Sequence, residues 1–271
     1  MRCTRPVLER CKVGPVEVTE RPCGKCPSCL ANKAQSWTYR LYAENKLHKK
    51  SCFITLTYNA ESISRLYLSP TGIYSLKYDD LQNFMKLLRK NTGLKLRFYG
   101  VGEYGETTKR PHFHVILFGL DKEDRSEIER AWKYGFVTVG DVSPSSIAYV
   151  ARYCTKKLFN DSLDYEKEGV MKEKAQMSLK PGIGANAIKK GVKYGTDGQM
   201  FVWFQGRRCG VPQYFKDKLK TALDTYKARL AAERSRDSRS DDYERTGRSE
   251  SEEALQAEKN VLARRKKRKC V

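Results

Sequence analysis

Two of the chain's three histidines, His112 and His114, stand one residue apart inside the otherwise apolar stretch RPHFHVILFG at 110–119. Such a stretch reads as a strand, and in a strand residues i and i+2 share a face. Both imidazoles therefore point the same way, with Ile116 and Phe118 beyond them. Phe113, Val115 and Leu117 point to the other side. The preceding LKLRFYGVGEYG (94–105) reads as a second strand. A hairpin closing symmetrically around 104–111 sets Glu103 opposite His112 and Val101 opposite His114, and directly opposed residues share a face. Two imidazoles and a carboxylate then converge as a His2Glu site for a divalent cation, with open positions for substrate. Mixed nitrogen and oxygen ligation suits manganese or magnesium acting as a Lewis acid, with zinc as the further option.

A second group with chemical potential is YVARYCTKK at 149–157. Tyr149 and Tyr153 are four apart, so they share one side of a helix, and Lys156 follows three residues later. A phenol titrates near ~10 and needs help to act as a nucleophile. A metal-polarised phosphate and nearby ammonium groups supply it by stabilising the charge that develops. The third group is CGKCPSC, which spaces Cys23, Cys26 and Cys29 as C-x2-C-x2-C. Cys3 or Cys11 completes a four-cysteine set. Structural zinc is the reading preferred here, an iron–sulfur cluster is its rival, and unliganded reduced thiols are the plain alternative. Finally, KPGIG (180–184) and QGRRCG (205–210) read as basic glycine-bearing loops, offering Lys180, Arg207 and Arg208 to phosphates.

The elements that must position these groups follow from periodicity. SCFITLTYN (51–59) alternates as a strand. YDDLQNFMKLLRKNTG (78–93) is a helix with Leu81, Phe84, Met85 and Leu88 on one side, Asp79 as its N-cap and Gly93 as its stop. After the two strands already named come a helix over 121–135, the strand FVTVGDV (136–142) and a helix over 143–158. That last helix opens on Ser143 as cap and Pro144 in the first turn. The order from 51 to 158 is β-α-β-β-α-β-α. It predicts an α+β fold: a ferredoxin-like, split βαβ antiparallel sheet with helices on one face and the other face free for a site. The chain divides into a Cys-rich segment with a basic helix (1–48), a core (49–160), basic loops with a terminal helix candidate at 211–233 (161–233), and a charged tail expected to be disordered (234–271).

Composition narrows the partners. There are 53 Lys and Arg against 32 Asp and Glu, a net charge of +21 over 271 residues, which seeks polyanions. No apolar run approaches the roughly 20 residues that span a bilayer, and no secretion signal is visible. Nucleic acid is thus preferred over a membrane. Nine cysteines without such a signal favour a reducing compartment. The basic run Arg264 to Lys269 suits sequence-independent tethering of DNA.

Taken together, FITLTY, PHFHVILFG and YVARYCTKK resemble the three motifs of the HUH-superfamily endonucleases. PCGKCPSC and LKPGIG extend the resemblance to the replication initiators of small single-stranded DNA phages, the gokushovirus branch of the microviruses. The resemblance implies rolling-circle replication. The enzyme nicks one strand at an origin through a 5′-phosphotyrosine bond, and a free 3′-hydroxyl primes the host polymerase. It implies His112, His114 and Glu103 as metal ligands, Tyr149 and Tyr153 as nucleophiles, and Lys156 as electrostatic helper or proton shuttle. It also implies single-stranded DNA as substrate and action in the host bacterial cytoplasm. With no G-x-x-x-x-G-K-[ST] stretch present, unwinding falls to a host helicase. The competing reading is a non-catalytic, zinc-containing binder of single-stranded nucleic acid, in which the tyrosines pack or stack on bases.

Overall fold

A two-residue rhythm governs Ser51–Tyr58: Cys52, Ile54, Leu56 and Tyr58 are fully buried, and the residues between them are half-buried. The computed structural model describes residues 2–10, 18–152, 163–195 and 199–219. In chain order the elements are β1 (Val7–Arg10), β2 (Val18–Arg21), α1 (Pro27–Asn45), β3 (Ser51–Tyr58), α2 (Ala60–Ile63), α3 (Tyr78–Thr92), β4 (Arg97–Tyr104) and β5 (Pro111–Phe118). They continue with α4 (Arg125–Ala131), β6 (Gly135–Asp141), α5 (Pro144–Ala151), α6 (Tyr165–Glu168), β7 (Ala175–Met177), β8 (Val192–Tyr194), β9 (Met200–Phe204), β10 (Arg207–Gly210) and α7 (Gln213–Lys218). They fall into two units, Thr38–Lys189 and a second built from Met1–Trp37 and Lys190–Val271.

In the first unit a five-stranded sheet runs β6-β3-β5-β4-β7, every neighbour antiparallel. Since β3 and β4 are both antiparallel to β5, they run parallel to each other with β5 between them. α3 makes the crossover. One side of the sheet, from Ile54, Leu56, Phe113, Val115 and Leu117, packs with Leu81, Phe84, Met85 and Leu88 of α3 and with Ile128, Ala131 and Trp132. Each of these large side chains contributes about 1.5–3 kcal/mol by leaving water. The indole of Trp132 also donates to the Thr57 carbonyl at 3.0 Å, pinning the end of α4 to β3.

The structure corrects four expectations. Asp79 is not the cap of α3: Lys77 holds that position without a side-chain bond, and Asp79 and Asp80 lie in the first turn. There their charge complements the helix N-terminus, and Asp80 accepts the Tyr58 hydroxyl at 3.0 Å. Gly93 does end the helix, at φ 68°. Secondly, helices cover both sides of the sheet. Tyr99, Ile116 and Phe118 on the histidine side are apolar and buried, so that side needs cover of its own. His48, just past α1, stacks on Phe118 at 5.3 Å, and Glu44 of α1 takes Arg97 of β4 at 2.5 Å. α5 covers part of the same side. Thirdly, Ala175–Met177, at the edge of a region read as loop, forms the fifth strand by pairing with Tyr99–Val101.

The second unit supplies the fourth correction. It holds the β1–β2 hairpin and a three-stranded antiparallel sheet, β10-β9-β8. QGRRCG is not a loop: Arg207–Gly210 is β10, paired with β9 through a two-residue turn. Gln205 and Gly206 both have positive φ, 48° and 73°, which is the turn that suits the twist of paired strands. Of the terminal helix expected over 211–233, Gln213–Lys218 is helical and the residues from 220 on lie outside the described ones, as does the tail.

Candidate active site

The β4–β5 register is the one a symmetric hairpin predicts: Glu103 faces His112, and Val101 faces His114. β3 borders β5 on its other edge, with Thr57 opposite His112 and Thr55 opposite His114. One row across the sheet therefore reads Phe136, Thr57, His112, Glu103, and the next reads Thr138, Thr55, His114, Val101.

The donor atoms of the three predicted ligands point at one another. His112 Nε2 and His114 Nε2 are 3.1 Å apart, and Glu103 Oε2 lies 3.6 Å and 3.3 Å from them. Two ligands at right angles around one ion, each about 2.1 Å from it, stand about 3 Å apart. The spacing fits three adjacent positions of one small cation. The outward ring nitrogens are held. His112 Nδ1 lies 3.1 Å from the Arg110 carbonyl, which only accepts, so that nitrogen carries the proton and the neutral ring turns its Nε2 lone pair inward. His114 Nδ1 meets the Thr55 hydroxyl at 3.0 Å, and Phe53 stacks on the same ring at 5.6 Å. The Arg110 backbone is itself anchored, because its guanidinium donates to the Tyr58 carbonyl.

Electrostatics follow from this packing. Burial works against the Glu103 carboxylate, yet the hydrogen bonds and charge of the two imidazoles hold its pKa below the usual carboxylate value. Burial likewise opposes protonation of His112, but Glu103 and the Arg110 carbonyl raise its pKa.

α5 brings Tyr149 to the cluster. Its start is fixed by Ser143, whose hydroxyl accepts the Ser146 N–H at 3.1 Å while Ser146 Oγ accepts the Ser143 N–H at 2.9 Å, with Pro144 at the first helical position. Ile147, Val150 and Ala151 are buried, which fixes the helix's rotation. The Tyr149 hydroxyl then donates to Glu103 Oε2 at 3.2 Å and lies 3.5 Å from His114 Nε2. Burial and the neighbouring Glu103 charge push the phenol's pKa well above its ordinary value. The side chain is still 37% exposed, so it can be reached from solvent. Tyr153 and Lys156 lie outside the described residues.

A second cluster lies in the other unit. The sulfurs of Cys3, Cys23, Cys26 and Cys29 all fall within 4.8 Å of one another. Cys3 and Cys26 are 3.8 Å apart, Cys23 and Cys29 4.0 Å, and none is in a disulfide. The Cys23 N–H points to Cys3 Sγ and the Cys26 N–H to Cys23 Sγ, each at 3.3 Å. Burial opposes ionisation of Cys26, but the backbone amides of Thr4 and Cys29 pull its pKa down to about 6. Both this cluster and the Glu103–His112–His114 set are compatible with metal binding. Cys11, the other candidate for the fourth position, lies outside the described residues. Of the tentative DNA contacts, Lys180, Arg207 and Arg208 are all exposed; strand alternation puts the two arginines on opposite faces of β10.

Comparison with known proteins decides the family. A family model for the replication-associated protein ORF2 matches residues 51–158, which span β3 through α5. The chain is 30% identical over 220 residues to the replication-associated protein ORF2 of Spiroplasma virus 4, covering 73% of this chain and 67% of that protein. The chain belongs to the phage replication-associated proteins. It is 29% identical over 223 residues to protein VP4 of Bdellovibrio phage phiMH2K and to protein ORF4 of Chlamydia phage 1, both replication-associated proteins. The match covers 73% of this chain in both cases, 67% of the Bdellovibrio phage protein and about half, 53%, of the Chlamydia phage protein. Among the described residues of this family member, no helix is long and apolar enough to cross a membrane.

Thr55, Phe53 and Arg110 belong to this site, and the sequence alone does not single them out. The alternation of β3 carries the signal for Thr55 and Phe53, since both lie on the side opposite Ile54 and Leu56. What alternation lacks is the partner: nothing local says that β3 borders β5.

Proposed function

We propose that this protein is a rolling-circle replication initiator that nicks and rejoins single-stranded DNA at a phage origin through a 5′-phosphotyrosine bond. The observation that carries the reading is the Tyr149 hydroxyl, 3.2 Å from a carboxylate that closes a His-His-Glu cluster, in a phage replication-associated protein. The fold reading is a ferredoxin-like, split βαβ sheet, supported by the β3-α3-β4-β5-α4-β6 succession and the β6-β3-β5-β4 order.

Glu103, His112 and His114 would hold Mn2+ or Mg2+, which when bound supplies Lewis-acid charge to the scissile phosphate. The chain's own part is positioning. The Tyr149 oxygen attacks phosphorus, a P–O bond forms to the phenol, and the bond to the 3′-oxygen breaks. The phenol gives up one proton and the leaving 3′-oxygen takes one, leaving a free 3′-hydroxyl. Proton exchange suits Lys156, as electrostatic helper or shuttle. Tyr153 repeats the attack on the regenerated origin, and the released strand closes when a 3′-hydroxyl displaces the tyrosine. A phenol held protonated by burial and by Glu103 is a weak nucleophile, which is why the reaction should depend on the cation. The host polymerase and a host helicase are the expected partners, in the bacterial cytoplasm. Zinc is the reading for the four cysteines: sulfurs bound at about 2.3 Å to one tetrahedral ion stand about 3.8 Å apart. The observed separations suit a single ion better than a cluster whose sulfurs bind different irons.

The test is incubation of the protein with end-labelled single-stranded origin oligonucleotides and Mn2+ or Mg2+, followed by a denaturing gel. A metal-dependent protein–DNA adduct is expected from the wild type and is absent from the Tyr149→Phe, Tyr153→Phe double variant and from His112→Ala. Tight binding without cleavage across the whole cognate genome would replace this reading with the non-catalytic binder.

A further inference from the structure

The β8–β9–β10 sheet has two unlike faces. One turns inward, with Val192 and Val202 buried. The other carries Lys193, Phe201, Trp203 and Arg208. Register brings these together: Phe201 faces Lys193 on one side and Gly210 on the other, and Trp203 faces Arg208 in the next row. Phe201 and Trp203 are two apart on β9, so they share the face; their rings meet edge to face at 5.8 Å and 85°. The Arg208 guanidinium stacks over the Phe201 ring at 4.4 Å. Gly210 adds nothing above the sheet, since a Cβ there would meet no atom within 4 Å. Trp203 remains 55% exposed.

An indole left in water on a sheet face forgoes burial that a core would give it. Isolated exposed aromatics are ordinary, but this one lies beside a second aromatic and between two cations. We propose that this face is a second binding surface for single-stranded DNA, separate in sequence from the nuclease residues. An unpaired base stacks on Trp203, and Arg208 and Lys193 meet the flanking phosphates. The proposal rests on the reading that the protein handles single-stranded DNA. The occupant follows from chemistry. A base offers a flat π-face to the indole only when it is not already stacked in a duplex, and a strand's phosphates complement the two cations in a chain of net charge +21. Arg207, on the opposite face with Phe204, is not part of this surface.

The experiment measures affinity of the full chain, carrying His112→Ala to prevent cleavage, for a labelled oligo-dT of about 20 nucleotides, longer than one such site. The same is done with an abasic strand of equal length. Trp203→Ala should weaken oligo-dT binding roughly tenfold, Trp203→Phe should recover most of it, and the abasic strand should not distinguish the variants. Unchanged oligo-dT affinity in Trp203→Ala, or an equal loss on the abasic strand, would overturn the proposal. If Trp203→Ala does not fold, an oligonucleotide bearing 5-iododeoxyuridine is photocrosslinked to the wild type; crosslinks at Trp203 or Phe201 are expected, and their absence while others form counts against the surface. Adduct formation by wild type on origin DNA, run alongside, separates the two readings. An adduct without a Trp203 effect removes only this surface. A Trp203 effect without an adduct removes only the nuclease.

Discussion

At the scale of single residues, the histidine site depends on groups that never touch substrate. The Thr55 hydroxyl at 3.0 Å from His114 Nδ1 fixes which way that ring turns its inner nitrogen. Partners of this kind typically cost ten- to a hundred-fold in metal affinity when removed. Thr55→Val should therefore weaken Mn2+ binding by roughly tenfold or more in calorimetric titration while the thermal midpoint moves little, since Thr55 is only half-buried. Equal Mn2+ affinity in the two proteins would mean that Phe53 stacking alone orients the ring. Glu44 plays a structural part of similar kind. Its fully buried carboxylate meets Arg97 at 2.5 Å, His48 at 3.1 Å and the Gly184 N–H at 2.7 Å. Burial opposes its charge, but these partners prevail and lower its pKa. A lowered carboxylate pKa contributes stability that is complete above the unfolded value, near 4.5, and lost as pH falls through the folded value. Glu44→Gln should flatten the acid limb of a stability-against-pH curve below that point. A limb as steep as the wild type's would assign acid unfolding to other carboxylates.

At the scale of elements, the short helix α5 carries the reacting phenol, so its start sets where that phenol stands. The Ser143–Ser146 capping box closes two of the orphan N–H groups. Ser143→Ala should cost about 1 kcal/mol in denaturant unfolding and lower adduct yield, by letting the first turn of α5 fray and Tyr149 drift from Glu103. Full adduct yield with the stability loss present would show that Ile147 and Val150 alone hold the helix. This element also marks how far sequence reasoning reaches. Ser143 and Pro144 announce the start of α5 locally, and the hairpin register that pairs Glu103 with His112 follows from the turn between two strands. The α3 stripe, Leu81 to Leu88, is likewise local periodicity. Nothing local says that α5 crosses to the histidine side of the sheet, or that β3 lies beside β5. Both depend on which apolar face needs cover after the sheet has formed. β7 escapes a sequence reading because three residues are too few for alternation to register. β10 escapes it because Gly206 and two arginines resemble a loop until Gln205-Gly206 is seen as a two-residue turn.

At the scale of the whole molecule, the two units are held by different means. The five-stranded sheet buries a large apolar core and does not need a metal to fold. The β1–β2 hairpin is in the opposite position: Val7 and Leu8 are 55% and 67% exposed, so it gains little from burial. What ties its flanks to the start of α1 is the meeting of Cys3 with Cys23, Cys26 and Cys29. A segment with so little core is stable when binding of an ion supplies the missing free energy. The prediction is that the purified chain carries one zinc, released by a mercurial reagent into a colorimetric indicator. Release should remove hydrogen-exchange protection from the β1–β2 ladder and the first turn of α1 while β3, β4 and β5 stay protected. A mild oxygen-donor chelator should instead strip Mn2+ or Mg2+ from the histidine site with no change in exchange anywhere in the first unit, because Glu103, His112 and His114 are placed by a sheet that is already complete. Iron in place of zinc on elemental analysis would revise the ion. Protection of β1–β2 that survives removal of every metal would mean that the four sulfurs merely sit together, and that the hairpin is held by hydrogen bonds such as Cys23 N–H to Cys3 Sγ alone.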